Sequence, residues 1–419
     1  MKTIFSSFLL LLSLVLTAQP SPYLSDLTAL KSFVEKTASF KDQIKGEKKA
    51  DFNALYARLA SDTISNPESF TYFYNLSQLI FPLRDNHIGF YRIPNYEPFR
   101  TKERIDSFVA TKEFQDYPTT SLDLDSLRVI LSNKPIESVE GIYHYDTFYT
   151  VGLFKNNDQE YIGVILDSKL NFWKSGNIAI HLYETAQHTY KAIYGHPYFK
   201  HFILQPIEKY QNQTLVNSYF YGSFSQSVYA KKLEKEDYSN LPKDGTKFAF
   251  KNIDEKIQYV LIRSFQTNPK IAQASQLFYD SIKNQLVAPN LIVDLRNNEG
   301  GADKEMTKFL KLLKGYLKIG KLYLLVNNAT LSQAELFTLE LKQQKNVFIL
   351  GQQTKGMLAY GSNYGKYLRL PSAKFEFYPT DMNNGSTALQ YEDSGISPDY
   401  FLTNRKDWIE QTIDFIGKR

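Results

Sequence analysis

A serine at a predicted strand-to-helix junction is the residue in this chain best placed to do chemistry. The segment Leu291–Gly301 starts as an apolar run, typical of a buried strand, and ends in a polar loop with two glycines. A second apolar run, Leu322–Val326, precedes a short polar loop and a predicted helix from about 331 to 344, with Thr330 or Ser332 as its cap. A hydroxyl beside the unpaired amides of a helix N-terminus is an arrangement suited to acyl transfer. Ser332 is therefore the candidate nucleophile.

Backbone donors for an oxyanion are predicted on both sides of this serine. Glycine lets main-chain amides approach a ligand closely, and a helix N-terminus carries partial positive charge. We expect the N–H of Gln333 and one N–H of the Gly300–Gly301 turn to bind the developing negative charge. Asp294 and Arg296 are predicted to form an ion pair that shapes the turn, and Glu335 is interpreted as a structural helix acid.

Two motifs in this order resemble those of a known enzyme family. They are Asp-Leu-Arg-Asn-Asn-Glu-Gly-Gly at 294–301 and Ser-Gln-Ala-Glu at 332–335. Together they resemble the C-terminal-processing (tail-specific) and tricorn-type serine peptidases, over roughly residues 250–405 with a weaker match near 25–93. The resemblance implies an α/β fold with a crotonase-like ββα catalytic domain and hydrolysis of peptide bonds through an acyl-enzyme.

The resemblance also implies a general base and a residue that orients it. The segment Leu83–Phe90 is similar to the one that supplies the base in the tricorn-like branch, which makes His87 the candidate. Imidazole, with an unperturbed pKa of about 6.5, can accept and return a proton near neutrality. Taken alone, a loop histidine is more often a local hydrogen-bonding residue. Glu392 lies in a stretch similar to the family's E-x-x-G-[IV]-x-P-D segment and is implied to orient His87, with Asp393 as the competing choice and a solvated loop acid as the plain alternative.

A lysine base, used by the tail-specific branch in a T-x-G-K segment, is not expected here. The matching stretch places Met357 at the lysine position, and a thioether cannot accept the serine proton. Lys355 lies on the other side of Gly356, and in a strand it would point to the opposite face. The Ser-His-Glu arrangement of the tricorn-like branch is therefore favoured over a Ser-Lys dyad.

Length and composition predict several domains. A chain of 419 residues with 43% hydrophobic residues can bury more than one core, and its net charge of +5 is too dispersed to favour nucleic-acid binding. Short alternating, aromatic-rich runs between 136 and 231 predict an antiparallel barrel or sandwich. The predicted organisation is a signal peptide at 1–18, a helical segment at 19–100 carrying His87, a β-rich middle domain at 101–240 and the catalytic domain at 241–419.

The N-terminus is typical of a secretory signal. Lys2 precedes the apolar run Phe5–Leu16, which is short for a membrane anchor, and Ala18 is the expected last residue removed. An uncleaved anchor is the alternative. The chain has no cysteine, which excludes disulfides and lipid attachment at a cysteine. We expect an exported bacterial protein, periplasmic or secreted, with no stable membrane span after signal removal.

No metal or other cofactor is expected, and the expected partner is a peptide or unfolded protein substrate. Four histidines of the middle region match no ligand spacing and are interpreted as surface or structural residues: His181, His188, His196 and His201. Two alternatives to a peptidase stay open. The first is a catalytically inactive peptidase-fold protein that binds a peptide or an apolar ligand. The second, a crotonase-type acyl-CoA enzyme, fits poorly with an export signal. The oligomeric state is not predicted.

Overall fold

The computed structural model describes residues 21–418 except 221–222, 224–226, 234–236, 243–244 and 364. The predicted signal segment, with Lys2, Phe5–Leu16 and Ala18, lies outside the described residues. No helix in the described ranges combines the length and apolar character needed to cross a membrane.

The described chain forms helices in its first third and again around its C-terminal sheet. One 3-10 helix covers Glu97–Phe99. The α-helices are α1 Pro22–Val34, α2 Ala38–Gln43, α3 Glu47–Ala60, α4 Phe70–Gln78, α5 Lys102–Val109, α6 Lys112–Gln115, α7 Leu124–Ser132, α8 Pro269–Ile282, α9 Asp303–Tyr316, α10 Gln333–Lys342, α11 Ser386–Leu389 and α12 Trp408–Gly417.

Strands occupy most of the middle of the chain. They are β1 Gly89–Arg92, β2 Gly141–Tyr145, β3 Tyr149–Lys155, β4 Glu160–Ser168, β5 Ile178–Ala186, β6 Thr189–Gly195, β7 Phe202–Gln211, β8 Thr214–Leu215, β9 Tyr229–Ala230, β10 Phe248–Asn252, β11 Ile257–Ile262, β12 Asn290–Asp294, β13 Lys321–Val326, β14 Val347–Gly351, β15 Tyr360–Gly361, β16 Leu368–Arg369, β17 Phe375–Tyr378, β18 Met382–Asn383 and β19 Tyr400–Phe401.

A six-stranded sheet in the order β10-β11-β12-β13-β14-β19 carries the candidate nucleophile. Strands β11 to β14 and β19 run parallel, and β10 is antiparallel to β11. Helices α8, α9 and α10 pack on one face, through residues such as Phe309 and Phe337, and α12 covers the other face with Trp408. Burial on both faces explains why β12 and β13 read as continuous apolar runs. The alternation of strand and helix confirms the predicted α/β class.

A second sheet closes on itself. Its antiparallel strands run in the order β7-β6-β5-β4-β3-β2-β9-β8, and β8 pairs back onto β7. The middle region is thus the closed ring rather than a sandwich of two sheets. Aromatic side chains such as Tyr194 and Tyr229 fill it.

The ring is also joined to both ends of the chain. Strand β1, from the N-terminal segment, pairs with β7 on one edge and with β17, from the C-terminal part, on the other. The helices α1, α3 and α4 pack with these strands in one apolar cluster that includes Phe73, Phe90 and Phe375. The predicted helical segment around α1 to α4 is confirmed. Its fourth helix begins at Phe70 with Ser69 as cap.

Candidate functional site

The candidate nucleophile lies where the predicted junction places it. Ser332 follows the loop after β13 and occupies the N-cap position of α10, which begins two residues later than expected. Its backbone has φ 58° and ψ −124°, a conformation that non-glycine residues adopt rarely. Contacts on each side hold this conformation, because Ser332 N–H donates to the carbonyl of Met357 at 3.0 Å and to Glu335 Oε2 at 3.1 Å.

His87 lies against this serine although 245 positions separate them in sequence. The distance from His87 Nε2 to Ser332 Oγ is 3.0 Å. With the proton on Nδ1, the serine hydroxyl donates to Nε2, which is the geometry of a general base. Burial, and secondarily the charge of Lys355, lowers the pKa of His87 to about 4, so the imidazole is neutral and able to accept a proton at neutral pH.

Glu392 does not touch the imidazole, so its expected role as the direct orienting partner is wrong. Its Oε1 accepts the N–H of Asn86 at 2.8 Å, and its Oε2 accepts the N–H groups of Leu358 and Ala359 at 2.9 and 2.8 Å. Burial raises the pKa of Glu392 to about 8 against the opposing effect of these amides. The side chain is fully buried, which excludes the solvated loop acid, and it fixes the backbone next to His87 instead.

Asp393, the competing choice, also has other partners. Its Oδ2 accepts Arg84 Nε at 2.7 Å and its Oδ1 accepts Asn86 Nδ2 at 2.9 Å. Among the described residues, His87 Nδ1 is buried and has no hydrogen-bond partner. A buried ring N–H without an acceptor costs free energy, and the histidine keeps its position through its main chain.

Three residues next to His87 in the chain, which the sequence motifs did not identify, fix the position of its main chain. Arg84 Nη2 donates to the carbonyl of Glu392 at 2.6 Å, and Asn86 Nδ2 donates to the carbonyl of Gly356 at 2.6 Å. Asp85 is buried and accepts the N–H of His87 at 3.2 Å. A run of polar residues around one histidine was the available signal, but their partners lie about 300 positions away and cannot be read from the sequence.

Of the two glycine amides in the turn from which one oxyanion donor is expected, that of Gly301 is the one left free. Gly300 N–H donates to Asn298 Oδ1 at 2.9 Å, so it is occupied within the loop. Within the described ranges, the N–H groups of Gly301 and Gln333 have no hydrogen-bond acceptor. Gly300 matters for its lack of a side chain, because a Cβ there would lie 2.7 Å from Gln333 N and 3.0 Å from Ser332 Cβ.

The acids and the arginine flanking these loops are structural, as expected. Asp294 and Arg296 form a buried ion pair, with Oδ2 to Nη2 at 2.6 Å. Glu335 is fully buried and accepts Thr354 Oγ1 at 2.6 Å, Gly356 N–H at 2.7 Å and Met357 N–H at 2.9 Å. Glu335 therefore ties the segment after β14 to the first turn of α10.

Lys355 lies in an irregular segment, whereas the sequence predicted a strand there. Strand β14 ends at Gly351, so the strand alternation used to orient Lys355 does not apply. Its charge lowers the pKa of His87. Burial lowers the pKa of Lys355, and Glu208, Glu335 and Glu299 oppose that effect. No carboxylate of the described residues is within ion-pair distance of its ammonium group.

The four histidines between 181 and 201 serve packing or lie at the surface. His181 is buried, stacks on Phe70 and bonds Glu160 at 3.0 Å, while His196 and His201 stack on each other. His188 is exposed. The described residues contain no group of three or more His, Cys, Asp or Glu side chains that could hold a metal ion.

The fold and the serine–histidine pair together define a candidate hydrolytic site, and the comparisons with known proteins agree with that class. Residues 256–319, which contain β11, β12 and the glycine loop, match the model of peptidase family S41. The resemblance seen in the motifs is thus supported at the level of that family, and the tricorn-like branch is untested. No curated protein matches the chain.

Similar solved structures include a putative peptidase, a processing protease and mature CPAF. A putative peptidase from Parabacteroides merdae is 13% identical with a TM-score of 0.39, covering 96% of this chain and 97% of its own. The photosystem II D1 C-terminal processing protease is 14% identical with a TM-score of 0.38, covering 91% and 93%. Mature CPAF is 11% identical with a TM-score of 0.43, covering 95% and 96%. Because these sequence identities and TM-scores are low, the argument for function depends on the site and on the family match.

Proposed function

We propose that this protein is an exported serine-type peptidase that cleaves peptides or unfolded proteins through an acyl-enzyme on Ser332. The observation that carries the proposal is the 3.0 Å contact between His87 Nε2 and Ser332 Oγ, made at the N-terminus of α10 beside two unpaired main-chain amides. A hydroxyl, a neutral base and preorganised donors are the three components that acyl transfer needs. The family match over residues 256–319 supports the same class.

The reaction follows from the positions of these groups. Ser332 Oγ attacks the carbonyl carbon of the scissile bond as His87 Nε2 takes its proton. The carbonyl oxygen becomes an oxyanion that the N–H groups of Gln333 and Gly301 stabilise, each contributing on the order of 2.7–4 kcal/mol. His87 then protonates the leaving amine, and the C–N bond breaks to leave an ester on Ser332. Water, deprotonated by His87, hydrolyses that ester and restores the serine.

The first test is covalent labelling with a fluorophosphonate, which reacts only with an activated serine. We expect wild-type protein to be labelled at Ser332, as located by mass spectrometry, and to hydrolyse unstructured casein. The Ser332→Ala protein should keep the wild-type circular dichroism spectrum and lose both properties. Folded wild-type protein that neither labels nor cleaves casein would contradict the proposal.

That negative result would favour the alternative of a peptidase-fold binding protein without catalysis. One observation is in its favour, because none of the described residues accepts a hydrogen bond from His87 Nδ1 to orient the ring or to stabilise its protonated form. Isothermal titration with unstructured casein separates the two cases, since a binding protein retains affinity without turnover.

A further inference from the structure

The closed ring of strands approaches the catalytic pair through two buried lysines. Lys191 is on β6 and Lys209 is on the neighbouring strand β7, and their exposed fractions are 6% and 3%. Buried ammonium groups are costly unless they are hydrogen-bonded. Both of these groups donate to main-chain carbonyls outside the ring.

Lys191 reaches the segment that carries His87. Its Nζ donates to the carbonyl of Leu83 at 2.8 Å, four residues before the histidine. The register between β6 and β7 shifts between Tyr190 and Ala192, so Lys191 sits in a β-bulge. The extra residue of that bulge belongs to β7, because Pro206 and Ile207 lie opposite Lys191 alone, and a bulge disrupts the ladder and increases the local twist.

Lys209 reaches the segment that holds Ser332. Its Nζ donates to the carbonyls of Lys355 at 2.8 Å, Ser394 at 3.1 Å and Thr354 at 3.4 Å. The segment 354–357 is the one whose Met357 carbonyl accepts the N–H of Ser332. Lys209 is thus connected to the nucleophile through a few residues of backbone.

The charges around the two lysines favour their ammonium forms. Burial lowers the pKa of Lys209 to about 8, opposed chiefly by Glu335 and Asp393. Burial also lowers the pKa of Lys191, opposed by Asp393, Asp85 and Glu392. Asp393 opposes the lowering of both pKa values.

We infer that the ring positions the catalytic pair: Lys191 holds the His87 segment and Lys209 holds the Ser332 segment, both from one pair of adjacent strands. The inference rests on the proposed peptidase function and gives the middle region a part in it. Neither lysine is catalytic, because their ammonium groups contact main-chain carbonyls and not the reacting atoms. A hydrogen-bonded pair joined only through 245 positions of chain needs a common support of this kind.

Three single substitutions test the inference. Lys191→Met and Lys209→Met remove an ammonium group and keep a similar apolar stem. Lys200→Met is the matched control, because Lys200 is also a buried lysine of the ring region, but its Nζ donates to Phe172 O and Asn177 Oδ1, away from the catalytic pair. The readouts are the fluorophosphonate labelling rate of Ser332 and amide hydrogen exchange of peptides covering 83–88 and 354–357.

We expect Lys191→Met and Lys209→Met each to lower the labelling rate by about tenfold or more, which is the size of effect expected when catalytic groups are misplaced by a fraction of an ångström. Exchange should rise at 83–88 in Lys191→Met and at 354–357 in Lys209→Met. Lys200→Met should label within about twofold of wild type at a similar loss in melting temperature. Comparable labelling in all three variants, or an equal loss in the control, would overturn the inference.

The exchange measurement separates this inference from the proposed function. If wild-type protein is not labelled, the peptidase proposal fails, and the exchange pattern alone decides whether the lysines hold the two segments. Unchanged exchange at 83–88 and 354–357 in the two variants would then reject the inference.

Discussion

The two halves of the catalytic pair are built in different ways. Ser332 is held by one stretch of the α/β sheet, where the β12 and β13 loops, the first turn of α10 and the segment after β14 are neighbours in sequence and in space. His87 is held by residues distant in sequence. The hydrogen bond from Asn86 N to Glu392 Oε1 spans 306 positions, and that from Asn86 Nδ2 to the Gly356 carbonyl spans 270. Apart from the contacts that Lys209 makes with 354–355 and Ser394, the nucleophile half is therefore local, and the base half depends on tertiary contacts.

This difference decides which variants should be most damaging and why. Changes beside Ser332 should act on the chemistry with little effect on folding, because the surrounding sheet is fully buried and independent of them. Changes around His87 should affect activity and stability together, because the same contacts join the ends of the chain.

The largest effect is expected from Gly300→Ala in the local half. Gly300 has φ 81°, and an added Cβ would lie 2.7 Å from Gln333 N and 2.9 Å from Leu331 O. The oxyanion donor and the nucleophile must then move apart, so kcat/KM for casein cleavage should fall by about 10²-fold or more. The control is Gly315→Ala, in helix α9 with open space at the Cβ position, which should keep activity and gain about 0.5–1 kcal/mol of stability. Equal activity in the two variants would show that the glycine loop does not contribute to the site.

Glu392→Gln, in the long-range half, is expected to lower both activity and stability, with a smaller loss of activity than Gly300→Ala. The glutamine NH₂ must face one of the main-chain N–H groups that the carboxylate accepts, which leaves a buried donor unsatisfied at a cost of about 1–3 kcal/mol. Activity should fall about tenfold, and the melting temperature should fall with it. Glu340→Gln, at an exposed position of α10, should change neither measurably. A loss of activity in Glu392→Gln at wild-type melting temperature would place Glu392 on the chemical step instead.

The smallest expected effect is a shift in the pH dependence of kcat/KM. Since the pKa of free His87 is lowered to about 4, its neutral form dominates above that value, and kcat/KM should lose its base only as pH falls toward 4. Lys355→Met removes a positive charge that disfavours the imidazolium, so this acid limb should move to higher pH, whereas Lys355→Arg should leave it in place. Activity regained on return to pH 7 excludes unfolding.

Burial raises the pKa of Asp85 to about 6, so a second acid limb measured near that pH would be assigned to Asp85, and the Lys355 variants should not shift it. An acid limb from His87 at the same pH in wild type and Lys355→Met would contradict the electrostatic role given to Lys355.

The local half of the site could be predicted from the sequence, because its signals are contiguous. Apolar runs mark β12 and β13, two glycines mark the loop, and Ser332 precedes an amphipathic helix. Which glycine amide remains free could not be predicted, since that depends on the side chain of Asn298 folding back onto Gly300. The strand predicted around Lys355 is absent, because the chain is irregular after β14 ends at Gly351.

The long-range half could be predicted only in outline. A resemblance pointed to His87 and Glu392, and both lie at the site, but spacing could not show that Glu392 binds the main chain of Asn86 and not the imidazole of His87. The partners of Glu392 are main-chain amides, which every residue possesses and no sequence pattern marks. The same holds for Lys191 and Lys209, whose acceptors are main-chain carbonyls.

The most direct test of the account asks whether Ser332 and His87 act as one unit. Casein hydrolysis should be measured for Ser332→Ala, His87→Ala and the double variant, each checked for a native circular dichroism spectrum. The account predicts similar residual rates for all three, because either substitution alone disables the pair. A His87→Ala protein that keeps most of the wild-type rate, or a double variant whose loss is the product of the two single losses, would contradict it.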